Sequence, residues 1–177
     1  MELAIIAFRK MIVMFIILVV GIIAYKTKIV TKEGNSTLSD LLLLIVNPVV
    51  IFMSFQMEFT HELFIKLWIS IGFAVICHII AIAVSYIAIG KKVKDFEIER
   101  VSAIYSNCGF IGIPIISALF GQEGVFYLAA YIAVFNILLW TQGYMLMTGE
   151  KDKKVILKGI FSPCVIAAVL GIICFCF

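Results

Sequence analysis

Charge is scarce in this chain, and the scarcity decides the first question. Only 14% of its 177 residues are Asp, Glu, Lys or Arg, whereas 64% are hydrophobic. A soluble globular domain carries charge on about a quarter of its residues, so that class is excluded. Histidine is limited to His61 and His78, and no carboxylate lies deep in any long apolar run. A buried cation site or acidic proton carrier is therefore not evident. Nucleophilic catalysis lacks partners too: His78 and Ser85 stand seven apart with no buried acid beside them, which argues against an intramembrane hydrolase. The five cysteines, Cys77, Cys108, Cys164, Cys174 and Cys176, lie inside apolar runs and form no Cys-x-x-Cys pair. They read as small reduced hydrophobes, and neither a metal nor a cofactor is implied. Low-complexity segments are missing as well. The net charge of +3 does not point to nucleic acid, because the basic residues sit in short loops beside apolar runs, where they set topology.

What is present is a series of apolar runs of about 20 residues, each long enough to cross a bilayer. The expected fold is all-α: a polytopic membrane protein with six transmembrane helices. The first runs from 3 or 11 to 25, with Arg9 and Lys10 able to snorkel at its start. It lacks a small-x-small cleavage site and more spans follow, so it is kept as a helix rather than a signal peptide. The others are expected at 37–55, 67–90, 101–120, 125–147 and 155–177. Ser36 or Thr37 would cap the second, placing Asp40 in its first turn, where a carboxylate suits the helix dipole. Residues 121–124, Gly-Gln-Glu-Gly, make a very short turn. Eleven of the 14 basic residues (Lys26, Lys28, Lys32, Lys91, Lys92, Lys94, Arg100, Lys151, Lys153, Lys154 and Lys158) then share one side, and Arg9, Lys10 and Lys66 the other. The positive-inside rule puts the eleven in the cytoplasm and the N-terminus outside the cell membrane.

All three prolines, Pro48, Pro114 and Pro163, interrupt apolar runs. The densest interruption is Ser106-Asn107-Cys108-Gly109-Phe110-Ile111-Gly112-Ile113-Pro114, in the middle of the fourth run. Pro114 removes a backbone donor and clashes one turn back. Gly109 and Gly112 weaken the helix on either side of Phe110 and Ile111. Unpaired backbone groups in hydrocarbon cost several kcal/mol each, so a break is tolerated only where protein or a water-filled cavity covers it. Transporters build substrate sites in this way. The alternative is a kinked but continuous helix packed through its glycines. A half-helix starting near Pro114 would present free N–H groups and a partial positive charge to a carboxylate. Asn47-Pro48 breaks the middle of the second span, where Asn47 either lines the same site or bonds a neighbouring helix. Asn136, in the fifth span with Thr141 and Gln142, is a lining candidate or an interhelical hydrogen-bonding group. His78, near the centre of the third span, is a possible proton relay or a neutral histidine bonded to a neighbour.

The string from Ser106 to Ile115 resembles the Gly-Asn-x-Gly-Phe-x-Gly-x-Pro-Leu signature of the auxin efflux carrier family, which includes plant auxin exporters and bacterial malate-type permeases. Asn47-Pro48-Val49-Val50-Ile51-Phe52 is similar to the Leu-Pro-Ala-Leu-Ile-Phe of that family's second helix, with Asn47 in place of Leu and, in the first motif, Ser106 in place of Gly. Ser162-Pro163-Cys164 through Gly171 resembles the Asn-Pro to Gly stretch that opens its second half. The resemblance implies about half of a ten-helix transporter of two inverted five-helix repeats. Helices one, two, six and seven would form a scaffold; three to five and eight to ten would form the moving part. Broken helices four and nine would flank an organic anion at the midplane, with Asn107, Gly109, Phe110, Gly112, Pro114, Asn47, Pro48 and Asn136 as its binding residues here. On this reading, residues 1–148 are the first repeat and 149–177 a cytoplasmic loop and the first helix of an incomplete second.

The expected function is secondary transport of a small organic anion of the auxin or malate type, by a truncated or half carrier. The expected partners are the lipid bilayer and a separately encoded second half or a second copy. The strong loop charge bias opposes dual-topology insertion, and a parallel pair would not rebuild the inverted crossover. A membrane protein that binds a partner without transporting is the alternative.

Overall fold

The computed structural model describes residues 2–149 and 153–177. The cytoplasmic loop expected to open 149–177 therefore lies partly outside the described residues. Four stretches are long and apolar enough to cross a membrane: Glu2–Lys26, Lys32–Ser54, His61–Ala88 and Phe96–Thr148. Pro163–Cys176 is apolar but, at 14 residues, shorter than the roughly 20 a perpendicular crossing needs.

Helix α1 (Glu2–Lys26) buries none of its side chains and packs against α6. The second stretch begins earlier than its apolar residues do. Thr31 caps α2 (Lys32–Leu41) by accepting the Gly34 N–H at 3.1 Å, and Glu33 sits in the first turn. Ser36 and Thr37 lie inside the helix rather than capping it, so Asp40 falls in the third turn, not the first. The break expected at Asn47-Pro48 is not there. A wide π turn (Leu42–Val46) leads straight into α3 (Asn47–Ser54), and Asn47 keeps helical angles of φ −60° and ψ −48°. Its N–H bonds the Leu42 carbonyl five residues back. The wider ring carries the Pro48 pyrrolidine past the preceding turn without breaking the helix.

Helix α4 (His61–Ala88) starts on a Thr60 cap and spans about 42 Å. Arg100 closes its other end. The guanidinium Nε and Nη2 donate to the Ile89 carbonyl at 2.9 and 2.6 Å, and the group lies 4.1 Å over the Tyr86 ring. The sequence read Arg100 as one more loop cation. It is instead 4% exposed, pinning the corner between α4 and α5 (Phe96–Ile104).

The fourth stretch is 53 residues long, too long for one crossing. Helix α6 (Ile113–Leu138) reverses at Gly121, whose φ of 63° and ψ of −153° lie where only glycine sits without strain. Contacts across the reversal fix two antiparallel arms. Ile116 and Phe120 meet Gly124, Leu128 covers Gly112, and the Tyr105 ring lies on Gly143. The expected four-residue turn is thus one glycine, with 122–124 already helical. The returning arm is the centre of the molecule: its Phe126, Ala129, Ala130 and Ile132 join Ile51, Phe55, Leu67, Ala168 and Phe175 in the buried core. Phe126 meets Phe55 edge-on at 5.4 Å and Phe175 at 5.1 Å.

A second π turn (Leu139–Gly143), helix α7 (Tyr144–Thr148), the short α8 (Lys153–Ile160) and α9 (Pro163–Cys176) complete the chain. The expected run 155–177 is divided because Ser162, preceding a proline, is held extended at ψ 150°. Helix α9 seats Gly171 directly on Phe55 and the Phe52 carbonyl. Large apolar side chains such as Phe15 (67% exposed) and Phe73 (64%) cover the outer surface. In water that surface would be an aggregation hazard; in hydrocarbon it is the solvated face.

Candidate functional site

The signature stretch folds as an interrupted helix. Helix α5 stops at Ile104, residues 105–107 leave helical geometry, and a third π turn (Cys108–Gly112) restarts the chain into α6. Tyr105, at φ −104° and ψ 89°, turns the backbone away. Its hydroxyl donates to Gln142 Oε1 at 2.7 Å, with the Leu138 carbonyl 3.0 Å away, tying the break to the returning arm. Asn107 is the cap of the new segment: its Oδ1 accepts the Phe110 N–H at 3.1 Å, while the Cys108 N–H bonds the Ser106 carbonyl at 2.9 Å. The half-helix therefore starts at Cys108, six residues before Pro114. The reason is chemical: asparagine is a strong cap, and the π turn absorbs the donor that Pro114 lacks.

A cavity of about 360 Å³ lies against this break. Four segments wall it: Asp40, Asn47 and Ile51 from the second stretch, Ser106 to Phe110 at the break, Phe135, Asn136 and Trp140 from the returning arm, and Ser162 to Cys164 at the start of α9. Five expected residues, Asn47, Asn107, Gly109, Phe110 and Asn136, are brought together there. The others are placed differently. Gly112 packs beneath Leu128, 3.5 Å from where a Cβ would stand, and Pro114 and Pro48 are half-buried outside the lining. His78 is 1% exposed on α4, not on the cavity. Its Nδ1 lies 2.7 Å from the Ala74 carbonyl, its ring faces Tyr131 at 5.0 Å, and its Nε2 finds no partner among the described residues.

The polar groups on the cavity wall are neutral amides, hydroxyls and thiols plus one carboxylate. Asn136 donates Nδ2 to the Ile132 carbonyl at 2.8 Å, which uses one of its two amide hydrogens. The Asn47 amide makes no side-chain hydrogen bond among the described residues. Ser162 precedes α9 without capping it, and its Oγ is buried without a partner among the described residues. No lysine or arginine lines the cavity among the described residues, and Asp40 is the one acidic side chain on its wall. Asp40, Ser106, Cys108, Trp140, Ser162 and Cys164 were not expected here. For Asp40 the signal was available: positions 40, 43, 44, 47 and 51 recur at the three- and four-residue spacing of one helix face. A second groove, of about 510 Å³ along Ile116, Phe120, Tyr127 and Tyr131, is broad, open and mostly apolar. Its polar groups are Glu123 and the hydroxyls of Tyr127 and Tyr131, and Tyr127 donates to Glu123 Oε1 at 2.7 Å.

A chain of lipid-facing helices, one of them interrupted so that its asparagine cap lines a cavity, is consistent with a membrane transporter. Residues 6–155 match the model of the membrane transport protein family, that of the auxin efflux carriers, and the chain belongs to that family. It is a multi-pass membrane protein of a transporter family. No curated protein and no solved structure matches it.

Proposed function

We propose that this protein binds a small organic anion at the Asn107 break and moves it across the cell membrane by secondary transport. One observation carries the reading: the cap of the interrupted helix shares a single cavity with Asn47 and Asn136. A carboxylate there meets the partial positive charge of a helix N-terminus and amide donors, which hold an anion without a fixed cation. Gly109, at the same wall, has open space where a side chain would stand, so a ligand can approach the backbone closely.

On this reading residues 1–148 form one five-helix repeat, the two arms around Gly121 are the fourth and fifth crossings, and α9 is the sixth. The N-terminus lies outside, with eleven basic residues in the cytoplasm. Residues 149–177 begin a second repeat, which pairs with a separately encoded complementary half. Transport then proceeds by movement of the unit holding α4 to α6 against the one holding α3 and α9. The test is uptake of radiolabelled indole-3-acetate and L-malate into proteoliposomes holding the purified chain, alone and with candidate second halves. Asn107→Ala is expected to abolish flux of the transported acid. Flux unchanged in that variant removes the site from the pathway.

A further inference from the structure

The cavity has a charge of its own, and its sign is the wrong one for a bare anion. Asp40 lines the wall two turns into α2, on the segment that also presents Asn47. It makes no ion pair among the described residues. The titratable groups that share the wall, Cys108 and Cys164, are thiols and bring no balancing charge. A carboxylate ligand held at the Asn107 cap therefore shares the cavity with a second carboxylate of the same sign, and because Asp40 and Asn107 are both exposed the repulsion is that of a partly solvated pair.

We infer that the ligand's carboxylate is accompanied by one positive charge seated at Asp40. The inference rests on the carboxylate site proposed above and adds a second pole to it. The cavity then holds a charge-balanced pair: the anionic end at the helix N-terminus, the cationic end at Asp40. The indole of Trp140 and the rings of Phe110 and Phe135 enclose the apolar body between them. A positive charge at Asp40 comes from one of two sources. It is an ammonium on the substrate itself, which makes the substrate an amino acid or a similar zwitterion. Otherwise it is a cation taken from solution with the acid, a proton or sodium, which makes the carrier a symporter. Dianions, which add charge of the sign Asp40 already supplies, are rejected in both cases.

Radioligand binding to the full chain in nanodiscs separates these outcomes. Indole-3-acetate and L-tryptophan serve as probes, because they share the ring and the carboxylate and differ chiefly in the ammonium. If the substrate supplies the charge, tryptophan binds tighter than indole-3-acetate. Asp40→Asn then reverses the order by at least about tenfold, because it removes the partner of the ammonium and the repulsion of the bare acid together. If solution supplies it, indole-3-acetate binding strengthens with sodium or with acidification, and Asp40→Asn removes that dependence while raising affinity at low sodium and neutral pH. Asp40→Glu preserves either pattern, which separates charge from folding. The inference is overturned if Asp40→Asn leaves the ligand ratio, the sodium dependence and the pH dependence unchanged while Asn107→Ala abolishes binding. If Asn107→Ala changes nothing, or neither probe binds, the carboxylate site falls and the inference falls with it.

Discussion

Asn107 performs two tasks with one amide, and a three-variant series separates them. Its Oδ1 accepts the Phe110 N–H at 3.1 Å and so caps the restarted helix; its Nδ2 remains for a ligand in the cavity. Asn107→Ala removes both. Loss of a cap costs about 1 kcal/mol, which in a chain of this length lowers the melting temperature by roughly 2–4 °C. Asn107→Asp keeps an excellent cap but replaces the Nδ2 donor with charge. Its stability should match the parent. Its affinity for a carboxylate should fall furthest of the three, because the lost charge-assisted hydrogen bond alone is worth about 1.5–3 kcal/mol, or roughly 10- to 150-fold. Asn107→Ser keeps the cap, and its hydroxyl is too short to replace the amide. It should retain stability and bind about as weakly as the alanine variant. Fluorescence-detected melting in detergent reads the first quantity and radioligand binding in nanodiscs the second. Equal affinity in the asparagine and aspartate forms would refute the argument, since no carboxylate ligand tolerates that exchange at its own binding donor.

Other substitutions test the frame that holds the cavity. Gly121→Ala should cost about 1–3 kcal/mol and lower the melting temperature by several degrees, because alanine is strained at φ 63° and ψ −153°. Gly171→Val should separate α9 from α3, since its Cβ would stand 2.8 Å from Phe55 Cδ2 and 3.2 Å from the Phe52 carbonyl. Gly72→Ala, with nothing within 4 Å, should be neutral or stabilise by up to about 1 kcal/mol; paired melting curves make the comparison. Arg100→Lys should lower the melting temperature despite keeping the charge, because an ammonium does not reproduce the two donors on the Ile89 carbonyl or the flat stacking on Tyr86.

The parts of this fold that sequence shows well are those whose cause is local. Apolar runs show as spans, and the Asn-Gly-Pro density at 106–114 shows as an interruption, because proline and glycine act on their own backbone. Helix α2 starts five residues before the apolar run because its first turns are polar and contribute nothing to that run; only the Thr31 cap marks them. The offset conceals Asp40, since a carboxylate in a first turn reads as a dipole partner and one in a third turn as a cavity group. The role of Arg100 depends on Ile89 and Tyr86, eleven and fourteen residues back, and nothing in the local charge pattern separates it from its neighbours. The depth of His78 shows in the sequence, but the rings around it come from Tyr105 at the break and from Tyr131 and Phe135 on the returning arm, which only folding brings near.

The prolines themselves give the last test. The π turns Leu42–Val46 and Cys108–Gly112 each end two residues before a proline, Pro48 and Pro114, and all three π turns among the described residues contribute to the cavity wall. A π turn holds one residue more than an α turn, so its carbonyls point partly away from the helix axis. That geometry is tolerable in a membrane only where the carbonyls face something polar. If proline forces the widening, Pro114→Ala lets the segment relax toward a regular helix. A proline inside a helix costs about 3 kcal/mol relative to alanine. The π turn already relieves part of that, so a gain of about 1–2 kcal/mol is expected, roughly 2–8 °C in melting temperature. Binding should fall at the same time, because Cys108, Gly109 and Phe110 would turn off the cavity wall. A variant that is both more stable and unable to bind shows strain retained for function. A variant that melts lower with binding intact shows that tertiary packing, not Pro114, sets the π turn, and the link between the proline and the cavity is lost.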